Sequence, residues 1–296
     1  MQNSRAVRTD LAAEAHALRL ENAAGAGSVP GVSVEESQES GFAVTTVRVL
    51  NEFGAKELCK PIGSYVTVSF DALLRREEAA FERGVGVLAR HMLELLSIGN
   101  DDSVLVVGLG NSSITPDALG PAAIGSVLIT RHLKARMPQA FGAFREVAAV
   151  CAGVLGTTGV ESADLVAALV GKIRPDRVIA VDALAARHAD RLCRTVQLSD
   201  TGIIPGSGVG NHRSALCRET LGVPVLSVGV PTVVDAATLA MEFDASPDAL
   251  PAAASDMIVT PREIDRSIHD AAKLIGYAID LALHDGLTVA DVDLFL

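Results

Sequence analysis

The segment Ser103–Pro121, SVLVVGLGNSSITPDALGP, decides the reading of the fold. Val104 to Val107 is a short unbroken apolar run rich in β-branched residues, the pattern of a strand buried on both faces within a parallel sheet. Gly108 and Gly110 then allow a sharp turn. Thr115 is placed to cap a helix whose first position is Pro116, where the missing N–H costs nothing, so Asp117 falls in the first turn. A carboxylate is thereby expected at the carboxyl end of a strand, the edge where open α/β sheets keep their sites.

Working outward, Glu146–Val150, Arg177–Val181 and Val223–Val230 read as further buried strands. Helices are expected before the opening strand over Arg75–Ile98, and after it from Asp117 to about Arg136. Others are expected from Thr157 or Thr158 to near Pro175, over Ala183–Arg194, around Asp235–Met241 and over Pro261–Asp285. Strands alternating with helices of this length imply an α/β fold with a doubly wound, mostly parallel sheet flanked by helices. Val32–Phe70 differs. Its Val- and Thr-rich alternation predicts half-exposed antiparallel hairpins, a small β insertion projecting at about 32–70. Ahead of it, Asp10–Asn22 carries apolar residues at helical spacing behind a polar lead. Two stretches read as loops: Thr195–Asn211, which contains GIIPGSGVGN, at a sheet edge, and FDASPDALPAAASD over 243–256.

Bulk properties exclude several classes. A net charge of −11 leaves no basic surplus to displace phosphate counterions, so direct nucleic-acid binding is not expected. Aromatic residues make up 3% and Trp is absent, which leaves little for base stacking. The four cysteines contain no C-x-x-C pair, the usage of a reducing compartment, and no apolar run is long enough for a membrane span. A cytoplasmic location with no membrane partner follows as the expectation.

Familiar chemistries fit poorly. In Gly108-Leu109-Gly110, Ser113 stands where the third glycine of a dinucleotide fingerprint belongs, and there is no Walker-type glycine loop, so no cofactor is expected. Pro205 occupies the place of a required glycine two residues before Ser207, which removes a nucleophile elbow. The seven histidines form no H-E-x-x-H or other close pair, so no metal is expected. Asp117 and Asp182 remain, each following an apolar strand at an expected carboxyl edge. Two readings are open for them. They can cap or electrostatically favour helix starts, the commoner use of the residue, or converge from adjacent parallel strands. Converging carboxyls cannot both ionise cheaply and would share a proton, one activating water while the other protonates the carbonyl or leaving amine.

At these residues the chain resembles the germination protease family of spore-forming bacteria. The resemblance is carried by VRTDLA at Val7–Ala12, by GLGN at Gly108–Asn111 with TPDALGP at Thr115–Pro121, and by VDALA at Val181–Ala185. GIIPGSGVGN at Gly202–Asn211 and VTPREID at Val259–Asp265 add to it. It implies a cofactor-free endopeptidase, a homotetramer in the spore core, whose substrates are small acid-soluble spore proteins. It also implies a fold like that of hydrogenase maturation proteases, and a zymogen with a short propeptide, here residues 1–10 ahead of a single peptidase domain over 11–296. The family's proposed catalytic aspartates fall on Asp117 and Asp182, and self-processing falls within VRTDLA, where Asp10–Leu11 is the preferred bond. Asp117, beside a helix start, is expected to ionise more readily, with Asp182 keeping the proton. Two rival expectations are a metal-dependent peptidase of the hydrogenase-maturation type and a catalytically idle spore binding protein.

Overall fold

The computed structural model describes residues 9–22, 27–207, 213–243 and 257–296. Residues 1–8 of the expected propeptide, 208–211 of the glycine-rich loop and all but the first residue of the 243–256 loop lie outside them. Nine strands form one mixed sheet among the described residues: β1 (Val32–Glu39), β2 (Phe42–Val49), β3 (Gly63–Ser69), β4 (Val104–Leu109), β5 (Val147–Gly153), β6 (Arg177–Ala186), β7 (Thr195–Ser199), β8 (Val225–Asp235) and β9 (Ile258–Val259). Their spatial order is β1-β2-β3-β7-β8-β6-β4-β5, with β9 paired to the end of β8. The β8-β6-β4-β5 half is parallel, as the buried apolar runs predict, and β1-β2-β3-β7 continues it in antiparallel pairing.

Helices cover both faces. In chain order they are α1 (Ala12–Asn22), α2 (Glu52–Leu58), α3 (Asp71–Leu74), α4 (Ala80–Leu96), α5 (Leu119–Ile124), α6 (Arg131–Arg136), α7 (Pro138–Phe141), α8 (Leu155–Thr158), α9 (Ser162–Ile173), α10 (Arg218–Leu221), α11 (Ala236–Glu242), α12 (Ile264–Leu283) and α13 (Val289–Phe295). Alternation along the strands sorts the core. Val104, Val106, Ile179 and Val181 face Val85, Leu88 and Met92 of α4 and Leu274, Ile275 and Ile279 of α12. Their neighbours Leu105, Val107, Val178 and Ala180 face Val166 and Val170 of α9. None of the described helices is long and apolar enough to cross a membrane.

Four sequence expectations change. The Val32–Phe70 hairpins are present but join the main sheet through β3 and β7. Thr195–Ser199, expected within a loop, is a fully buried strand that makes this join. The helices expected over Arg75–Ile98 and Asp117–Arg136 are broken, the first by Arg76 and Ala79 at positive φ and the second between Ile124 and Arg131. Finally, β6 does not stop before Asp182. It runs on to Ala186, and the expected helix over Ala183–Arg194 is replaced by strand and a single tight turn at Ala189–Arg191. Ala-Leu-Ala-Ala favours a helix in isolation, but β8 extends alongside as far as Asp235 and supplies a ladder that overrides local propensity.

Candidate active site

Asp117 and Asp182 come from neighbouring parallel strands. The β4–β6 ladder ends at Gly108–Val181, so Asp182 is the first residue of β6 without β4 beside it, while it still pairs with Gly229 of β8. At that point β4 turns away. Gly110 sits at φ +103°, and a Cβ there would stand 2.9 Å from Asp117 Oδ1, so the tight return toward Thr115–Asp117 requires glycine. The start of α5 then rests on the strands through Gly120, where a Cβ would lie 2.5 Å from Val181 O. The Thr-Pro-Asp turn is held from the other side: buried Thr232 donates its hydroxyl to Pro116 O at 2.7 Å, and Thr260 donates to Thr232 O at 2.7 Å.

The two carboxyls occupy different environments. Asp182 is 5% exposed and accepts only the Ala183 N–H, at 2.9 Å, among the described residues. Burial first, then the negative charge of Asp117 and, less, that of Asp10, lift its carboxyl well above the usual range. Asp117 is half-buried and accepts the Asn111 N–H at 2.8 Å. Burial raises it too, against the lowering effects of that hydrogen bond and of the Arg213 guanidinium. Arg213 is itself 3.4 Å from Glu161 Oε1 at the start of α9.

Asp10 lies at the same edge. Beyond the end of β4 the N-terminal segment takes its place beside β6: Asp10 N donates to Ala185 O and Ala185 N to Asp10 Oδ2, both at 2.9 Å. Ser207 donates to Asp10 Oδ1 at 2.6 Å. The Asp10 carbonyl oxygen accepts from Lys60 Nζ at 2.9 Å and from Gln197 Nε2 at 3.1 Å, and Gln197 Oε1 accepts the Ala12 N–H at 2.7 Å. Leu11 is 1% exposed, packed with Leu184, Leu192 and Val234. Glu14 completes the anchor by accepting the Arg187 and His188 N–H groups at 2.7 and 3.0 Å.

The structure thus gathers Asp117, Asp182, Asp10 and Leu11 around the carboxyl end of the parallel strands. It also removes the capping reading for Asp182, which stands within a strand. Sequence reasoning missed Lys60, Gln197 and Arg213. Only Gln197 carried a signal, as a lone amide between Val196 and Leu198. Among the described residues no three His, Cys, Asp or Glu side chains cluster closely enough to hold a metal ion.

Comparison with known proteins places the chain in a family. Residues 10–244 match the family model of germination protease. The chain is 41% identical to a germination protease of Caldanaerobacter subterraneus subsp. tengcongensis, with 98% of each chain covered. The chain belongs to the germination protease family. It is also 39% identical to a germination protease of Clostridium perfringens, over 98% of this chain and 99% of that one. A Bacillus mycoides relative is 43% identical over 79% of this chain and 64% of its own length. Among solved structures, a [NiFe] hydrogenase maturation protease of Thermococcus kodakarensis aligns with 64% of this chain and 98% of its own, at 16% identity and a TM-score of 0.36. Membership makes the chain a peptidase.

Proposed function

We propose that this peptidase is an endopeptidase that degrades small acid-soluble spore proteins at germination, using Asp117 and Asp182 as a metal-free dyad. The observation that carries the reading is the placement of Asp182: a buried carboxyl one residue beyond the last β4 pairing, with Asp117's charge acting on it. Ionised Asp117, nearer Arg213, takes a proton from water as its oxygen attacks the scissile carbonyl carbon. Protonated Asp182 donates to the carbonyl oxygen. The tetrahedral intermediate, a gem-diol, collapses as the proton on Asp117 passes to the departing amine and the C–N bond breaks, while one diol hydroxyl returns its proton to Asp182 as the C=O bond re-forms, which restores the dyad.

The same reading makes residues 1–10 a propeptide, cut at Asp10–Leu11, ahead of one peptidase domain over 11–296 that assembles as a homotetramer in the spore core. Asp10 is bonded to Ala185, three residues past Asp182 and so about 10 Å along the strand. Self-cleavage therefore requires the segment to leave Ala185 and move toward the dyad. The deciding experiment incubates wild type, Asp117→Asn and Asp182→Asn, each expressed from Leu11, with a purified small acid-soluble spore protein, with and without chelator, and reads fragments by mass. Cleavage by wild type alone, indifferent to chelator, supports the dyad. Cleavage surviving both substitutions moves the site elsewhere, and loss on chelation replaces the metal-free mechanism.

A further inference from the structure

The two edges of the sheet are built differently. β1, at one end, carries Glu35, Glu36 and Glu39, the charges that keep an exposed edge from pairing with other chains. β5, at the other end, reads VAAVCAG, without a charge or a proline. Natural edges are blunted, so an unblunted one that borders a site needs an explanation.

Its main-chain groups show how much of that edge is open. Glu146 O accepts from Val104 N of β4, whereas Val147 turns outward, its N–H donating to Thr130 Oγ1 at 3.0 Å and its carbonyl accepting from Thr130 N at 3.1 Å. Alternation then turns Ala149 and Cys151 outward. Neither has a hydrogen-bond partner on that side among the described residues. Further on, Gly153 O accepts from Ser162 Oγ at 2.9 Å. Thr130 and Ser162 thus bracket an open window of two N–H and two C=O groups, the length of a short added strand.

Position and charge select the occupant. Gly153 pairs with Leu109, the residue before the Gly110 turn that delivers Asp117, so a chain lying on the window flanks the site two strand spacings, about 10 Å, from β4. Beside the window is a cavity of about 670 Å³ lined by Ile129, Arg131, His132, Lys134, Glu146 and Ala149, among others. The helix over it, α6, has Arg131, Lys134 and Arg136 and no acidic residue. Arg131 pairs with Glu146 at 2.7 Å and Lys134 donates to the neutral Phe144 O at 2.7 Å, so Lys134 and Arg136 keep this face positive in a chain whose net charge is −11.

We infer that the β5 edge at Ala149 and Cys151 is an exosite that binds an extended, acidic segment of the protein substrate by strand addition, next to the bond being cut. Main-chain pairing fixes the segment and tolerates many sequences, while α6 selects acidic flanks. This rests on the protease reading above.

The test uses the chain from Leu11 and Ala149→Pro, a substitution an outward N–H position of an edge strand tolerates. Substrates are a small acid-soluble spore protein, a hexapeptide spanning its cleaved bond, and two twenty-residue peptides with the same bond flanked by acidic or by amide side chains. The expected result is a KM about tenfold higher for the protein and the acidic peptide with kcat unchanged, and no change for the hexapeptide. Wild type should prefer the acidic peptide to the amide peptide severalfold in KM. Equal KM values for Ala149→Pro and wild type on the protein would overturn the exosite, and equal values for the two long peptides would overturn its charge selection. Amide exchange of Asp117→Asn with the spore protein covers the case in which Ala149→Pro misfolds: Ala149 and Cys151 should become protected on binding. No protection overturns the inference, as does concentration-dependent protection without substrate, which would mean a second copy holds the edge. If wild type cleaves none of these substrates, the substrate reading falls and the exosite falls with it, whereas cleavage with unchanged KM values overturns the exosite alone.

Discussion

Asp182 places an ionisable group where water is largely excluded, an arrangement that costs stability and that the proposed proton-sharing dyad puts to use. Because its folded-state value lies above its unfolded value, the folded chain holds a proton at pH values where the unfolded chain has released it. The stability this group contributes is complete below about pH 3.9 and is lost as pH rises through the folded value. Asp182→Asn removes the titration. At pH 8 the variant should melt a few degrees higher than wild type while its proteolytic rate falls by about 10²–10⁴. Melting curves and a fragment assay check the two signs together, and an Asn variant less stable at pH 8 would contradict the desolvation argument. Gly120 makes the complementary case. Gly120→Ala puts a methyl 2.5 Å from Val181 O, so α5 must lift from the strands that position both aspartates. Urea unfolding should show a loss of roughly 1–3 kcal/mol, accompanied by impaired hydrolysis. At this scale the sequence was informative where one residue interrupts a pattern, as Asp117 and Asp182 do after apolar runs. Lys60 and Arg213 were hidden because each meets its target across the fold, Lys60 at Asp10 and Arg213 at Asp117.

Among the elements, α12 carries a buried pair whose titrations oppose each other. Asp280 is fully buried, accepts the Leu128 N–H at 2.9 Å through Oδ1, and has no partner for Oδ2 among the described residues; burial pushes it up to about 7. One turn later, buried His284 accepts the Arg145 N–H at 3.2 Å, and burial followed by the Arg145 charge pulls it down to about 4. The aspartate makes the fold less stable as pH rises from about 3.8 to 7. The histidine makes it more stable as pH rises from about 4 to 6.5, since the unfolded chain binds the extra proton there. In wild type the two slopes largely cancel across that window. Relative to wild type, Asp280→Asn should make the slope of stability against pH more positive and His284→Gln should make it more negative, each by up to about 1.4 kcal/mol per pH unit. Urea midpoints at pH 4.5, 5.5 and 6.5 read the slopes, and parallel slopes in the two variants would contradict the opposition. The long amphipathic stripe of α12 was legible from apolar spacing alone. The end of β6 was not, because Ala-Leu-Ala-Ala reads as helix until β8 and Asp10 are placed beside it.

For the whole molecule, the decisive feature is that β6 outlasts β4 and the chain's own N-terminal segment occupies the space left. Local patterns predicted the parallel half of the sheet, since each buried strand announces itself by its apolar run. They could not show that β3 and β7 join the hairpins to it, because those strands lie far apart in the chain and their register is set only on pairing. The same long-range closure sets the electrostatics of the site. Bonded to Ala185, Asp10 adds negative charge near Asp182 and helps hold that carboxyl in its protonated form. Asp10→Asn removes the charge while keeping a side chain able to fill the seat, so Asp182 should release its proton at lower pH. Carbon-13 NMR of aspartate-labelled full-length Asp117→Asn, with and without Asp10→Asn, follows that carboxyl directly. A shift to lower pH would show that the segment ahead of Leu11 tunes the dyad through space as well as covering its edge. On the proposed mechanism, its removal then moves the alkaline limb of the pH–rate profile downward, because Asp182 works protonated. An unmoved titration would restrict Asp10 to anchoring.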